Sequence, residues 1–268
     1  MNNFQSSTTM SPTPKKRFGQ HWLTSPAIVE KIVAAAGLTG SETVLEIGPG
    51  RGVLTGRLVD CSARVVAVEV DRQLARALRE QYAGNGKISI AEKDFLKTDL
   101  DELLPGRYTV VANLPYYITV PIIEKLLRDK VRVDRIIVMV QKEMAARMAA
   151  APGGREYGSL SVFIQYHAAV EILFDVPPGA FVPPPKVTSS VIRLTPRTPP
   201  VALKDETAFF AFVKRLFNTR RKMLRATLRG MGHPGIEGIA QASGLDLARR
   251  PETLDMQELF RLYTTCQQ

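Results

Sequence analysis

Cysteine and histidine are scarce: Cys61 and Cys266, with His21, His167 and His233, in 268 residues. Two cysteines cannot build a disulfide framework, and no Cys or His falls at metal-ligand spacing, so no metal is expected. Free thiols fit a reducing compartment, which makes the cytoplasm the expected location. Long apolar runs are missing as well. None approaches the roughly 20 residues of a membrane span, so no membrane partner is expected. Met1–Thr9 lacks the charged and apolar regions of a signal peptide. Residues 1–16 read instead as a disordered polar lead-in. Acid is also short: 26 Asp/Glu stand against 36 Lys/Arg, a net charge of +10. Such an excess favours a polyanionic partner, with a merely basic soluble protein as the alternative.

The positive charge is clustered. Residues 197–268 hold 12 basic and 7 acidic side chains. Between Thr207 and Gly230 lie seven basic residues (Lys214, Arg215, Arg220, Arg221, Lys222, Arg225 and Arg229) and no acid. A second cluster, Lys15-Lys16-Arg17, stands near the N-terminus. The aromatic and aliphatic residues among the C-terminal cations recur at helical spacing and read as core, not as base-stacking platforms.

From Ser41 to Gln141 short β-branched runs alternate with helical patterns, which predicts a parallel sheet with crossover helices. The expected strands are Thr43–Ile47, Arg64–Val70, Lys87–Ala91, Tyr108–Ala112 and Asp134–Val140. Leu160–Val176 and Thr188–Leu194 are expected as two long antiparallel strands closing one edge, joined by a proline-rich loop. Thr195-Pro-Arg-Thr-Pro-Pro200 reads as a stiff linker. Helical patterns follow at Thr207–Gly230, Ile236–Ser243 and Asp255–Tyr263. The expected architecture is α/β, a mostly parallel Rossmann-like sheet with an antiparallel edge over residues 1–196, then a small all-helical domain over 197–268.

The first predicted strand runs into Gly48-Pro49-Gly50-Arg51-Gly52. Glycines there let the backbone approach a ligand, and the next helix offers free N–H groups. A dinucleotide fingerprint would need its third glycine where Val53 stands. The spacing Glu46-x-Gly48-x-Gly50-x-Gly52 resembles motif I of S-adenosylmethionine-dependent methyltransferases instead. Glu69 closes the second strand, placed to accept both ribose hydroxyls of a nucleoside or, with Asp71, to cap the next helix. Asp94, after the third strand, can accept from an adenine amine while Phe95 packs on the ring.

Asn113-Leu114-Pro115-Tyr116 follows the fourth predicted strand. Two acceptors, the Asn113 side-chain oxygen and the Leu114 carbonyl, can take both hydrogens of a flat exocyclic amine and favour a pyramidal nitrogen. Tyr116 can stack on the base. An ordinary post-strand turn would use the same residues, and the glycine loop with its two acids favours the chemical role.

Together these stretches resemble the KsgA-type ribosomal RNA adenine-N6,N6-dimethyltransferases. The resemblance rests on Arg17-Phe-Gly-Gln-His-Trp-Leu23, Glu46-Ile-Gly-Pro-Gly50, Glu69-Val-Asp71, Lys93-Asp94-Phe95, Asn113-Leu-Pro-Tyr-Tyr-Ile118, Gln141-Lys-Glu143, Tyr157-Gly-Ser-Leu-Ser161, Phe181-Val-Pro-Pro-Pro-Lys-Val187 and Phe217-Asn-Thr-Arg-Arg-Lys222. It implies S-adenosylmethionine as cofactor and dimethylation of N6 on two adjacent adenosines in the 3′-terminal hairpin of 16S rRNA. It implies a monomer acting on the immature 30S subunit during its biogenesis. Cofactor contacts are implied at Gln20, His21, Leu23, Gly48, Gly50, Glu69, Val70, Asp94, Phe95 and Asn113, and catalytic ones at Asn113, Leu114 and Tyr116. Phe181 is implied as a second aromatic face for the target base, with a core anchor for its loop as the alternative. RNA contacts are implied at Lys15, Lys16, Arg17, Arg220, Arg221 and Lys222. The family usually has Asn-Phe where this chain has His21-Trp22, and an imidazole can still donate to the cofactor's carboxylate.

Three other functions are open to such a sequence. An Erm-type large-subunit rRNA methyltransferase shares the catalytic core, but the Phe181–Val187 loop and the Asn218–Lys222 segment argue against it. A non-catalytic assembly factor would leave the pocket unused. An NAD-dependent dehydrogenase would need the missing glycine and a hydride-site acid or base.

Overall fold

The structure, a computed structural model, describes residues 20–129 and 131–267. The lead-in expected over residues 1–16 and the Lys15-Lys16-Arg17 cluster lie outside the described residues. The chain forms two compact units, one of the residues up to Ile122 with Val176–Thr188, the other of Ile123–Asp175 with the residues from Ser189 onward.

The first element among the described residues is a short strand β1 (Trp22–Leu23), followed by α1 (Pro26–Ala36), which starts on proline at a position where a missing N–H costs little. Then come β2 (Thr43–Ile47), α2 (Val53–Cys61), β3 (Arg64–Glu69), α3 (Arg72–Gln81), β4 (Ile88–Glu92), α4 (Leu100–Leu103), β5 (Tyr108–Asn113) and α5 (Thr119–Arg128). Strand order in the first unit is β4-β3-β2-β5, and its ladders are parallel. Val44, Leu45, Val65, Val66, Val110 and Val111 are fully buried. Strands covered on both faces show such unbroken apolar runs in place of alternation. The register pairs Val44 with Val65 and Thr109, and Val65 with Ile88. The carboxyl ends of all four strands therefore come out along one edge. Gly48, Glu69, Asp94 and Asn113 sit at that edge because of this register.

The second unit holds β6 (Val133–Gln141), α6 (Lys142–Ala149), α7 (Ser159–His167) and β7 (Ala168–Val176). The first unit contributes next, with β8 (Phe181–Val182), which pairs antiparallel with β1. β9 (Ser189–Pro196) belongs to the second unit and runs antiparallel to β6, from Ile136 against Leu194 to Gln141 against Ser189. β7 lies on the other side of β9. Ser190 bonds Asp175 at 2.7 Å and Arg193 bonds Glu171 at 3.0 Å, so β7 and β9 also run in opposite directions. The expected α/β architecture with an antiparallel part is present.

The long strand expected over Leu160–Val176 is half helix. Its β-branched and aromatic residues favour a strand locally, and tertiary bonds override that preference. Ser161 and Gln165, four apart and on one helix face, serve the unpaired carbonyls at the end of α6. Ser161 Oγ donates to Arg147 O at 2.5 Å, and Gln165 Nε2 donates to Met148 O at 2.9 Å and Ala150 O at 2.8 Å. Ser161 Oγ also accepts the N–H of Gly158, the residue before the helix.

After Pro196 only helices follow among the described residues: α8 (Glu206–Asn218), α9 (Leu224–Gly230), α10 (Ile236–Ser243) and α11 (Met256–Cys266), with a 3-10 turn at Pro251–Thr253. The helical pattern expected across Thr207–Gly230 breaks between α8 and α9. The early N–H groups of α9 are the reason: Leu224 donates to Arg249 O and Arg225 to Leu247 O, acceptors that a continuous helix would forgo. Phe209, Phe212, Val213, Leu216, Leu224 and Leu228 are buried together with Leu254, Leu259 and Leu262, and Tyr157 and Val162 join the same core. The aromatics of the basic segment are thus core. No helix among the described residues is long and apolar enough to cross a membrane.

Candidate active site

One cleft of about 270 Å³ opens at the carboxyl edge of β2, β3, β4 and β5. That is close to the lower end of small-molecule sites, about 300 Å³. Of the cofactor contacts implied by the sequence, Gln20, His21, Gly48, Gly50, Glu69, Val70, Asp94, Phe95 and Asn113 line it, and so do Leu114 and Tyr116. Leu23 and Phe181 do not. They face each other in the β1–β8 pair, 6% and 2% exposed, outside the cleft wall.

The glycine loop has the backbone its residues permit. Gly48, Gly50 and Gly52 adopt φ of 68°, 60° and 79°, a region closed to most side chains. A Cβ on Gly50 would lie 3.2 Å from Trp22 Cδ1, so a side chain there would push the indole. Glu69 braces the loop: its Oε2 accepts the Gly50 N–H at 3.1 Å and its Oε1 accepts the Asp71 N–H at 2.8 Å. Asp71 itself caps α3 by accepting from Gln73 N–H at 3.0 Å. Helix capping therefore falls to Asp71. Each Glu69 oxygen keeps a further lone pair for a ligand hydroxyl. Burial raises the Glu69 carboxyl above its ordinary value, and the backbone N–H groups of Asp71, Gly50 and Val70 oppose that rise. Glu46 lies deeper, 2% exposed, and Thr55 donates to it at 2.6 Å. Burial pushes its carboxyl up to about 8, with the charge of Glu69 adding to the rise.

Asp94 starts the 3-10 turn Phe95–Lys97 by accepting the Leu96 N–H on Oδ1 at 3.0 Å, which leaves Oδ2 for a ligand. Phe95 is buried beside it, 5% exposed, and its ring contributes to the wall.

β5 ends at Asn113, and Pro115 precedes a second 3-10 turn, Tyr116–Ile118. The Asn113 amide is oriented by its neighbour: Nδ2 donates to the His21 carbonyl at 3.3 Å. With the amine side held there, Oδ1 is the atom free to accept. Leu114 is 1% exposed, so its side chain anchors the turn, and the residue borders the cleft.

His21 and Trp22 are built into the wall. The His21 ring stacks on Tyr116 with centroids 5.9 Å apart and 24° between planes, and Nδ1 donates to Pro183 O at 2.8 Å. Arg51 places its guanidinium 4.0 Å over the Trp22 ring, a cation–π contact. The indole N–H is buried and bonds no group among the described residues.

Among the wall residues that sequence reasoning gave no site role are Trp22, Lys93 and Tyr117. Tyr117 had a visible signal, since it doubles the tyrosine of the tetrapeptide. Trp22 was visible only as a departure from the family, and its approach to Gly50 needed the fold.

The cations from Arg220 to Lys222 lie between α8 and α9. Arg220 is partly committed, donating to Gly154 O at 3.0 Å and standing 4.0 Å from Glu252. Arg221 and Lys222 are exposed. Lys222 borders a polar recess with Arg215, Asn218 and Thr219.

Comparison with known proteins adds to this geometry. The family described as ribosomal RNA adenine dimethylase matches residues 12–268. A relative from Gloeobacter violaceus, "Ribosomal RNA small subunit methyltransferase A", is 50% identical over 253 residues, covering 92% of this chain and 91% of its own. A solved dimethyladenosine transferase from Plasmodium falciparum superposes with a TM-score of 0.74 at 26% identity, covering 90% of this chain and 96% of its own. The 23S rRNA methyltransferase ErmE superposes with a TM-score of 0.71 at 25% identity, covering 92% and 100%. The fold is thus that of the Rossmann-like methyltransferases. The chain belongs to the ribosomal RNA adenine dimethylase family.

Proposed function

We infer that this protein dimethylates N6 of two adjacent adenosines in the 3′-terminal hairpin of 16S rRNA, with S-adenosylmethionine as donor. One observation carries the chemistry: Asn113 has its amide nitrogen held by the His21 carbonyl, so its oxygen is presented in the cleft shared by the glycine loop, Glu69 and Asp94. The 50% identity to a small-subunit methyltransferase supports 16S over 23S rRNA.

The donor set fits the cofactor. Glu69 offers two acceptor oxygens to the ribose, Asp94 Oδ2 accepts from the adenine amine, and Phe95 and Val70 supply apolar wall. The positive-φ glycines bring backbone close to the amino-acid portion, with Gln20 and His21 at that end. Leu23, paired into β8, contributes through β1, which holds these two residues in place. When bound, the cofactor supplies an electrophilic methyl group.

The protein's part in the reaction is placement and electrostatics. Asn113 Oδ1 and the Leu114 carbonyl accept the two N6 hydrogens and direct the nitrogen lone pair into the cleft. Tyr116, backed by His21, supports the base. Phe181 enters as the buried anchor of the loop whose Pro183 carbonyl holds the His21 ring. No side chain has to remove a proton beforehand, because the amine becomes acidic only once alkylated. After the first transfer a single N–H remains and one acceptor suffices, so the same pocket serves the second round.

Residues 1–196 make the methyltransferase domain in this scheme, and the basic helices of 197–268 hold rRNA through phosphates. Lys15, Lys16 and Arg17 extend the same charge, and Arg221 and Lys222 have the exposure the role requires. The protein works as a monomer in the cytoplasm on the immature 30S subunit. Incubation with labelled S-adenosylmethionine and immature 30S subunits, naked 16S rRNA or 23S rRNA tests the scheme. Label in N6,N6-dimethyladenosine near the 3′ end of 16S rRNA is expected, and label confined to 23S rRNA refutes it. Asn113→Ala should lower the rate by about 10²–10³, and any effect on subunit assembly that survives is independent of the chemistry.

A further inference from the structure

Two adenosines meet in this site, one in the donor and one in the rRNA, and the protein has to keep them apart. Tyr116 and Tyr117 are consecutive in the 3-10 turn Tyr116–Ile118. Such a turn has about 3.0 residues per revolution, so neighbouring side chains diverge by about 120° and cannot serve one face of one ligand. The Tyr116 ring lies against His21. Tyr117 lines the same cleft yet is 58% exposed, whereas Trp22 and Phe95 in that wall are 7% and 5% exposed. An apolar ring held in water at the mouth of a cleft gains most when a ligand covers it.

The surroundings of Tyr117 identify which ligand. Partial burial raises its hydroxyl above the ordinary tyrosine value, and the charges of Asp94 and then Glu69 raise it further. The hydroxyl therefore lies within the field of both carboxylates and stays protonated, able to donate. These are the two acids that face the donor's adenine and ribose.

We propose that Tyr117 covers the nucleoside of the methyl donor, closing its ring over the moiety held by Asp94 and Glu69, while Tyr116 keeps the acceptor base. The proposal rests on S-adenosylmethionine as the donor. It makes the paired tyrosines a sorting device, one ring for each adenosine.

Trp22 is the sole tryptophan and lines the cleft, so its fluorescence reports occupancy directly. Titration of the full chain with S-adenosylhomocysteine should show Tyr117→Ala weakened about tenfold, the loss of one stacked ring. Tyr117→Phe should stay within about threefold of wild type, because the ring is kept. Calorimetric titration supplies a second measure, and thermal melting shows that both variants are folded. Affinity for a 16S 3′-hairpin RNA should be unchanged in Tyr117→Ala. The proposal is overturned if Tyr117→Ala binds S-adenosylhomocysteine like wild type. It is also overturned if the RNA affinity falls in its place, which would make Tyr117 a platform for a neighbouring nucleotide. A wild-type chain that binds no S-adenosylhomocysteine refutes the donor assignment, and the Tyr117 role with it.

Discussion

At the scale of single residues, the cleft gives its carboxyl groups unequal work. Asp94 is half-buried, and Glu69 spends part of its charge on the loop that it orders. Glu46 is sealed beneath them with Thr55 as its hydrogen-bond partner. Its carboxyl rises from 4.5 to about 8, so between those values the folded chain holds a proton that the unfolded chain releases. Stability then falls as pH rises through that window. Glu46→Gln keeps an acceptor for Thr55 and carries no charge. It should remove this slope, gaining up to about 5 kcal/mol over wild type at pH 9. Urea unfolding from pH 5 to pH 9 measures it, and parallel slopes for the two proteins would rule the buried proton out. Asn113, Glu69 and Asp94 were legible as candidate residues, and they line the cleft, because their chemistry and strand-end positions coincide in the chain. The commitment of His21 to Tyr116 and Pro183 was not, since Pro183 is far along the chain and only the β1–β8 pair brings it near.

At the scale of elements, local signals and tertiary partners compete. α11 begins on a reciprocal cap: Asp255 accepts the Glu258 N–H at 2.8 Å, and Glu258 accepts the Asp255 N–H at 3.0 Å. Glu258 also binds Arg249 at 2.5 and 2.9 Å, and that bond chiefly holds its carboxyl below the ordinary value. Asp255→Ala should cost about 1 kcal/mol at pH 7. The Glu258 contribution has the opposite pH sense from Glu46. It is present above the usual carboxylate range and is lost as pH falls through the depressed value. Glu258→Gln should therefore lower the melting temperature at pH 7 and by much less near pH 3. An equal loss at both would mean that the pair contributes through packing alone. Caps of this kind can be read from sequence, because donor and acceptor are three residues apart. α7 could not be read, because its helix depends on the carbonyls at the end of α6, which Ser161 and Gln165 serve. The same limit applies to the break before α9, which depends on acceptors at Leu247 and Arg249.

For the molecule as a whole, the excess of base over acid sets the partner class, and the fold sets how much of that charge is available. Of the three consecutive cations after α8, Arg220 already bonds Gly154, whereas Arg221 and Lys222 project into solvent. Replacing all three by Ala should weaken binding to immature subunits and reduce the slope of log K against log salt by about 2, at roughly 0.7–0.9 for each phosphate no longer neutralised. Binding measured from low to high salt tests this, and an unchanged slope would move the RNA-binding surface elsewhere. The aromatics beside these cations should leave the slope alone, because Phe209 and Phe212 are buried in the core of the helices.

The sequence by itself determined the parallel α/β plan, the glycine loop, the acids at the strand ends, the tetrapeptide and the basic tail. Each is a short-range pattern whose spacing already contains its physics: a β-branched run, a glycine where φ must be positive, an acid at a strand end. Only the tertiary structure decided that Phe181 is buried outside the cleft wall, that residues 160–167 are helical, and that Tyr117 stands open at the mouth. Those outcomes depend on groups far apart in the chain meeting one another. No local pattern records which carbonyl will need a donor, or which ring will be left in water.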